Sequence, residues 1–341
     1  VNRATTLGSI LFTTFLLLTS PQTLSQTSSK QVMAYYESSG SYESLVAFHG
    51  YFNQLPTDTF GVDIHGNVTG TAPSKALDFA KAKGMKTFAT VSNFGAHDFD
   101  PKIAHAVLNN AKTRALVIAN FLRIVHESGY SGINIDFESV EHADRKLLTS
   151  FVHDVAGKMR AAQLLTVVSV PAELKDDPQD PWTGAFDFAA LGRDADILQL
   201  MTYDQHGPWG KPGPVAGLDW VEQCVHFTVS VVAPDKVSLG IPAYGYDWNT
   251  TKGTGAQVHW KDVPGLIAGS RVTRQWDAAS SSPFFHYQAA DGSSHLVWYE
   301  DEKSVPLKTA VAVSNHLAGI SVFALGFDDL SFWQAVQAGG F

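Results

Sequence analysis

The sequence predicts an α/β chain folded as a closed (β/α)8 TIM barrel, with a small α+β insertion between strand 7 and helix 7. Three observations carry that prediction. Eight apolar runs of strand length alternate with helical stretches. No glycine-rich turn follows the first strand, which removes the dinucleotide-binding alternative. Segment 249–298 is too long for a strand-to-helix loop.

In chain order, 31–37 (QVMAYYE) reads as the first strand and 41–48 as a short helix. Residues 52–62 are extended and turn back through His65, Gly66 and Asn67, a hairpin signal. Ser74 is the expected cap of a helix that stops at Gly84, and 86–92 (KTFATVS) is the next strand. Asp100 and Pro101 open one long helical region ending at Gly129, immediately before a strand over 130–138. The alternation continues with helix 142–162, strand 165–171, short helix 186–193, strand 197–203, helix 220–232 and strand 237–244. Helix 305–316, strand 319–325 and a terminal helix from Leu330 close the series. Inside the insertion, 284–288 and 295–299 flank Asp291 and Gly292 as a hairpin expected to wall one side of the barrel mouth.

The first residues read as a targeting segment. Arg3 is the only charge among the first 25, and the apolar run 10–18 (ILFTTFLLL) is too short for a span that needs about 20 residues. The division is therefore a signal peptide over 1–25, cleaved near Ser25, and a catalytic barrel over 31–341, with the protein secreted and not stably inserted in a membrane. Lys and Arg number 24 against 33 Asp and Glu, a net charge of −9 with no basic run, so neither nucleic acid nor anionic lipid is an expected partner. Cys224, alone, forms no intramolecular disulfide. The 13 histidines lack ligand spacing, so no metal or other cofactor is expected. Neither a Gly-x-Ser-x-Gly elbow nor a phosphate-cradling Gly-x-x-x-x-Gly-Lys loop occurs, and a monomer is the expected state.

Strand 130–138 carries the chemistry. Ile133, Ile135 and Phe137 alternate with Asn134, Asp136 and Glu138, a period of two. The three polar residues form a ladder on one face with rungs roughly 6 to 7 Å apart. A buried unpaired carboxylate is costly, so this face points into a barrel mouth or is the solvated side of an edge strand. In barrels the reactive groups gather where strands meet their following loops. Those ends offer Tyr36 and Glu37, Asn93 and Phe94, Glu138, Glu173, Tyr203 and Asp204, Tyr244, Tyr246 and Trp248, and 323–329, with Trp182, Trp209 and Trp220 in loops. Carboxylates beside aromatic rings suit a carbohydrate, whose faces stack while its hydroxyls need partners.

Gly132–Glu138 resembles the fourth-strand signature Asp-Gly-x-Asp-x-Asp-x-Glu of glycoside hydrolase family 18, with Ser131 and Asn134 in place of the first two Asp. Met201-Thr202-Tyr203-Asp204 resembles the family's Met-x-Tyr-Asp. Together with Gly213–Ala216, Gly240–Trp248 and Val297–Asp301, the wording is most similar to the branch of spore-cortex-lytic N-acetylglucosaminidases. The resemblance implies hydrolysis of β-1,4 bonds beside N-acetylglucosamine, in a peptidoglycan- or chitin-type polysaccharide, by a substrate-assisted retaining route. It implies Glu138 as acid and base, Asp136 and Tyr203 on the substrate's acetamido group, and Asp204 on the sugar. Asn134, Met201, Tyr36, Trp182 and Tyr244 are expected to line the substrate, and Phe323 to lie under the bound sugar where the family places Trp. A non-catalytic, lectin-like barrel is the other reading.

Overall fold

The computed structural model describes Val1 and residues 30–38, 40–270 and 272–341, so the targeting segment expected over 1–25 lies almost wholly outside the described residues. In chain order the elements are β1 (Gln31–Ala34), α1 (Ser41–Phe48), β2 (Gln54–Val62), β3 (Val68–Gly70), α2 (Ser74–Ala82) and β4 (Lys86–Ser92). Next come α3 (Pro101–Asn109), α4 (Ala111–Ser128), β5 (Gly132–Asp136), α5 (Arg145–Ala161), β6 (Leu165–Pro171), α6 (Phe188–Asp194), β7 (Ile197–Met201) and α7 (Leu218–Val231). The chain ends with β8 (Val237–Pro242), β9 (Tyr244–Asn249), β10 (Thr254–His259), α8 (Val263–Ser270), β11 (Gln275–Asp277), β12 (Ser282–Gln288), β13 (Ser294–Trp298), α9 (Ser304–Ser314), β14 (Gly319–Phe323) and α10 (Leu330–Ala338).

Strands β1, β2, β4, β5, β6, β7, β8 and β14 pair in parallel, and β1 meets both β14 and β2, which closes the eight-stranded barrel. The strand crossing is tight: a Cβ on Gly132 would lie 2.1 Å from the Leu165 carbonyl oxygen, so β5 and β6 can approach only at a glycine. The inward side chains are stacked in layers. Met33, Phe88, Val167 and Ile197 form a small apolar plug, and one step higher come the polar Tyr35, Thr90, Asn134, Ser169 and Gln199. The opposite face of β5 packs outward, where Phe137 stacks on Phe151 of α5 with centroids 5.6 Å apart.

Helix ends follow local chemistry, with three departures from expectation. The Asp100 side chain accepts from Lys102 N–H with Pro101 in the first turn, as expected. The region opened there is two helices, because the Asn110 side chain accepts from the N–H groups of Lys112 and Thr113 and starts α4 afresh; Gly129 then ends α4 at φ 64°. Ser74 is the first helical residue of α2 and makes no capping hydrogen bond; Pro73 precedes it. Finally, the insertion begins at β9, at Tyr244, before the expected 249: β9 pairs antiparallel with β10 and β13 in a sheet of order β10-β9-β13-β12-β11, with α8 beside it. The expected hairpin is β12–β13, with Gly292 at φ 81° in its turn.

Candidate active site

The ladder points into the barrel. Asn134 is fully buried: its Nδ2 donates to the Tyr35 hydroxyl at 3.0 Å and to Thr90 Oγ1 at 3.3 Å, and its Oδ1 accepts from Ser169 Oγ at 3.3 Å. An amide satisfies this layer without introducing a charge. One rung up, Asp136 is 8% exposed and its Oδ1 has no hydrogen-bond partner. Burial pushes its carboxyl up to about 6, against a downward pull from the Ser169 hydroxyl. No hydrogen bond joins Asp136 to Glu138 among the described residues.

Glu138 lies two residues beyond the end of β5. Asn93, at the end of β4, clamps its backbone from both sides: Oδ1 accepts from Glu138 N–H at 2.8 Å, and Nδ2 donates to the Glu138 carbonyl oxygen at 2.8 Å. The side chain sits among acids. Burial, then the charges of Asp136, Asp204, Asp58 and Asp98, hold its carboxyl well above the usual range. Such a group keeps its proton where an ordinary glutamate has lost it.

The end of β7, β9 and the end of β14 supply the aromatic side. A Cβ on Gly240 would stand 2.8 Å from Tyr203 Cε1, so the glycine makes room for that ring. Burial pushes the Tyr203 hydroxyl upward, with Tyr35 and Asp136 adding to it, so it remains a donor. Asp204, at φ 60°, accepts from the Tyr244 and Tyr246 hydroxyls, both at 2.7 Å on Oδ1. Burial raises its carboxyl and these two bonds lower it. Phe323 ends β14 with its centroid 5.9 Å from Tyr35, 6.1 Å from Tyr203 and 6.3 Å from Tyr244.

The structure therefore brings together Asn134, Asp136, Glu138, Tyr203, Asp204, Tyr244 and Phe323. Met201 ends β7, half-buried and paired with Pro171. Trp182 is 52% exposed on the loop between β6 and α6, its N–H held by Asp180, and makes no aromatic contact with this group. Tyr36 faces the other way: it bridges to Thr57 and its hydroxyl neighbours that of Tyr42. The side chain of β1 that reaches the ladder is Tyr35, which a strict alternation counted from Met33 would have selected. Trp209, 73% exposed, sits with its centroid 6.1 Å from Tyr246, above the Asp204 cluster.

A second constellation imitates a nucleophile relay on the insertion. His295 Nδ1 lies 2.8 Å from Asp247 Oδ1, and Ser293 Oγ lies 3.1 Å from His295 Nε2. The Ser293 hydroxyl, however, donates to Asp291 and is buried, so its proton is committed to the hairpin turn and no substrate reaches it. Among the described residues no group of three His, Cys, Asp or Glu is arranged to hold a metal ion, and no helix is long and apolar enough to cross a membrane.

Comparison with known proteins points to one family. The family model described as glycosyl hydrolases family 18 matches residues 25–328. An uncharacterized glycosylase, YvbX, of Bacillus subtilis (strain 168) is 38% identical over 302 residues, covering 88% of each chain. The crystal structure of a chitinase from Chromobacterium violaceum superposes with a TM-score of 0.86 at 37% identity, over 91% of this chain and 98% of that one. The cortical fragment-lytic enzyme of Bacillus subtilis is 24% identical over 83% of this chain and 66% of its own.

Proposed function

The chain belongs to glycosyl hydrolase family 18 and is a glycosidase, and from that premise we propose that it is secreted and cleaves β-1,4 linkages next to N-acetylglucosamine with Glu138 as acid and base. The observation that supports this reading is the pair on successive inward rungs: an acid, Glu138, whose surroundings keep its proton on, beside a buried Asp136 with an unfilled acceptor. In the first step the Glu138 proton passes to the glycosidic oxygen as its bond to the anomeric carbon breaks. The acetamido carbonyl oxygen of the same sugar forms the new bond to that carbon, while Asp136 accepts from the acetamido N–H and the Tyr203 hydroxyl donates to its oxygen. In the second step Glu138, now a carboxylate, takes a proton from water. The water oxygen attacks the anomeric carbon from the side the leaving group vacated, which reopens the ring and retains configuration. Asp204 would bind the sugar and Phe323 would floor it.

The polymer we propose is the one the relatives' names support. Similarity to a chitinase at 37% identity and to a cortical fragment-lytic enzyme at 24% favours chitin oligomers first and peptidoglycan fragments second. The deciding assay incubates the mature protein with chitin oligosaccharides and with purified peptidoglycan and identifies products by mass. Fragments ending in N-acetylglucosamine from either polymer are the expected result; sugar binding without any release would leave a lectin-like barrel.

Trp209 gives a separate handle on the rim. A Cβ on Gly207 would fall 2.3 Å from the Trp209 ring, so the loop curls to hold that ring over its own backbone. An exposed ring fixed in this way suits stacking on a sugar. Trp209→Ala is expected to raise KM for long oligosaccharides by roughly 3- to 10-fold, the worth of one aromatic stack, with kcat little changed. Steady-state kinetics against oligomers of increasing length would read this, and an unchanged KM at every length would remove Trp209 from the binding path.

A further inference from the structure

We propose that Asp58 is a positioning residue of this site, setting from the barrel interior how strongly Glu138 holds its proton; the inference rests on the reading of Glu138 as the acid. No part of the strand motifs contains Asp58. Its place follows from register: β2 pairs Asp58 with Thr90 of β4, and β4 pairs Thr90 with Asn134 of β5, so the three lie level across adjacent strands and share the inward face. Its N–H donates to the Tyr36 carbonyl oxygen at 2.8 Å, and the bulge between Asp58 and Phe60 follows directly. Its carboxyl makes no hydrogen bond among the described residues. Asn134 beside it is neutral, so Asp58 is the carboxyl of this layer.

The charged and titratable groups that bear on it are all acidic or neutral. Asp136 and Glu37 act on Asp58, and Asp58 in turn acts on Glu138 from β5 and on Tyr35 from β1. No Lys or Arg is among them. Burial, then Asp136 and Glu37, push the Asp58 carboxyl upward, and burial raises Asp136 as well. Once ionised, Asp58 adds a negative charge that disfavours ionisation of Glu138, so it delays loss of the acid's proton on the alkaline side. Removing that charge lowers the proton affinity of Glu138.

Asp58→Asn is thus expected to move the alkaline limb of the kcat/KM profile to lower pH by roughly one unit. Asp58→Glu should return the limb toward its original position. A residue that merely fills space would lower activity at all pH values and move neither limb. Carbon-13 carboxyl NMR reads the same coupling without substrate: in the wild type Asp58 titrates above the ordinary carboxylate range, and in Asp58→Asn the Glu138 signal titrates at lower pH. An Asp58 titrating in the ordinary range near 4 in the wild type overturns the proposal even if the variant does not fold. So does a Glu138 titration that ignores the substitution. If the wild type hydrolyses neither polymer, the reading of the function fails, while the NMR titrations still decide the role of Asp58.

Discussion

Glu138→Gln is expected to lower kcat/KM on the cleaved polymer by about 10² to 10⁴-fold, the usual worth of a positioned proton donor and acceptor, with fold and sugar binding kept. The substitution is nearly isosteric. Both Asn93 hydrogen bonds run to the Glu138 backbone, so they survive it. What disappears is a proton that can leave and an oxygen that can take one. Because acid surroundings already keep Glu138 neutral, the neutral amide introduces no new buried charge, and unfolding should be unchanged. The same reasoning fixes the acid limb of the wild-type profile. In the proposed mechanism Asp136 accepts from the acetamido N–H as a carboxylate; its folded carboxyl is raised to about 6, so activity should fall as pH drops through that value. Calorimetric titration with a chitin oligosaccharide and a pH series of initial rates would check both. Full activity in Glu138→Gln would sink the assignment.

The ladder was legible because strand periodicity and chemistry coincide in β5: two carboxyls and an amide at every second position can share only one face. The barrel was legible because the apolar runs alternate with helices at regular intervals. Other features depend on information that local sequence does not contain. Tyr35 and Tyr36 are adjacent tyrosines, and only the strand's parity against Met33 decides which enters the barrel. Asp58 sits one step before a bulge, so alternation carried along β2 loses register there. One capping side chain, Asn110, divides what reads as a single helix. Tyr244 and Tyr246 look like the end of a barrel strand, yet they start the inserted sheet, which is how the insertion comes to hold Asp204.

That insertion is also joined to the barrel through a buried ion pair. Lys308 of α9 and Glu300, two residues beyond β13, form an ion pair at 2.6 Å with side chains 1% and 0% exposed. Ser304 Oγ adds a hydrogen bond to Glu300 Oε2 at 2.6 Å, while Oε1 has no partner. Burial raises the Glu300 carboxyl and Lys308 pulls it down, so the cation is what allows a charge to remain there. Lys308→Met should therefore cost about 3 to 5 kcal/mol of folding stability near neutral pH, because it leaves a buried carboxylate alone. The double replacement Lys308→Met with Glu300→Leu should recover most of that loss, since two apolar side chains of similar volume need no desolvated charge. The pH dependence distinguishes this cause from poor packing. Without Lys308 the folded carboxyl rises further above its unfolded value, so the deficit is small near and below the unfolded value of about 4.5 and grows as pH rises from there. Denaturant unfolding of both variants at pH 4.5 and pH 7.5 would measure it. A single variant equally destabilised at the two pH values would mean that lost packing, not the lone charge, carries the effect.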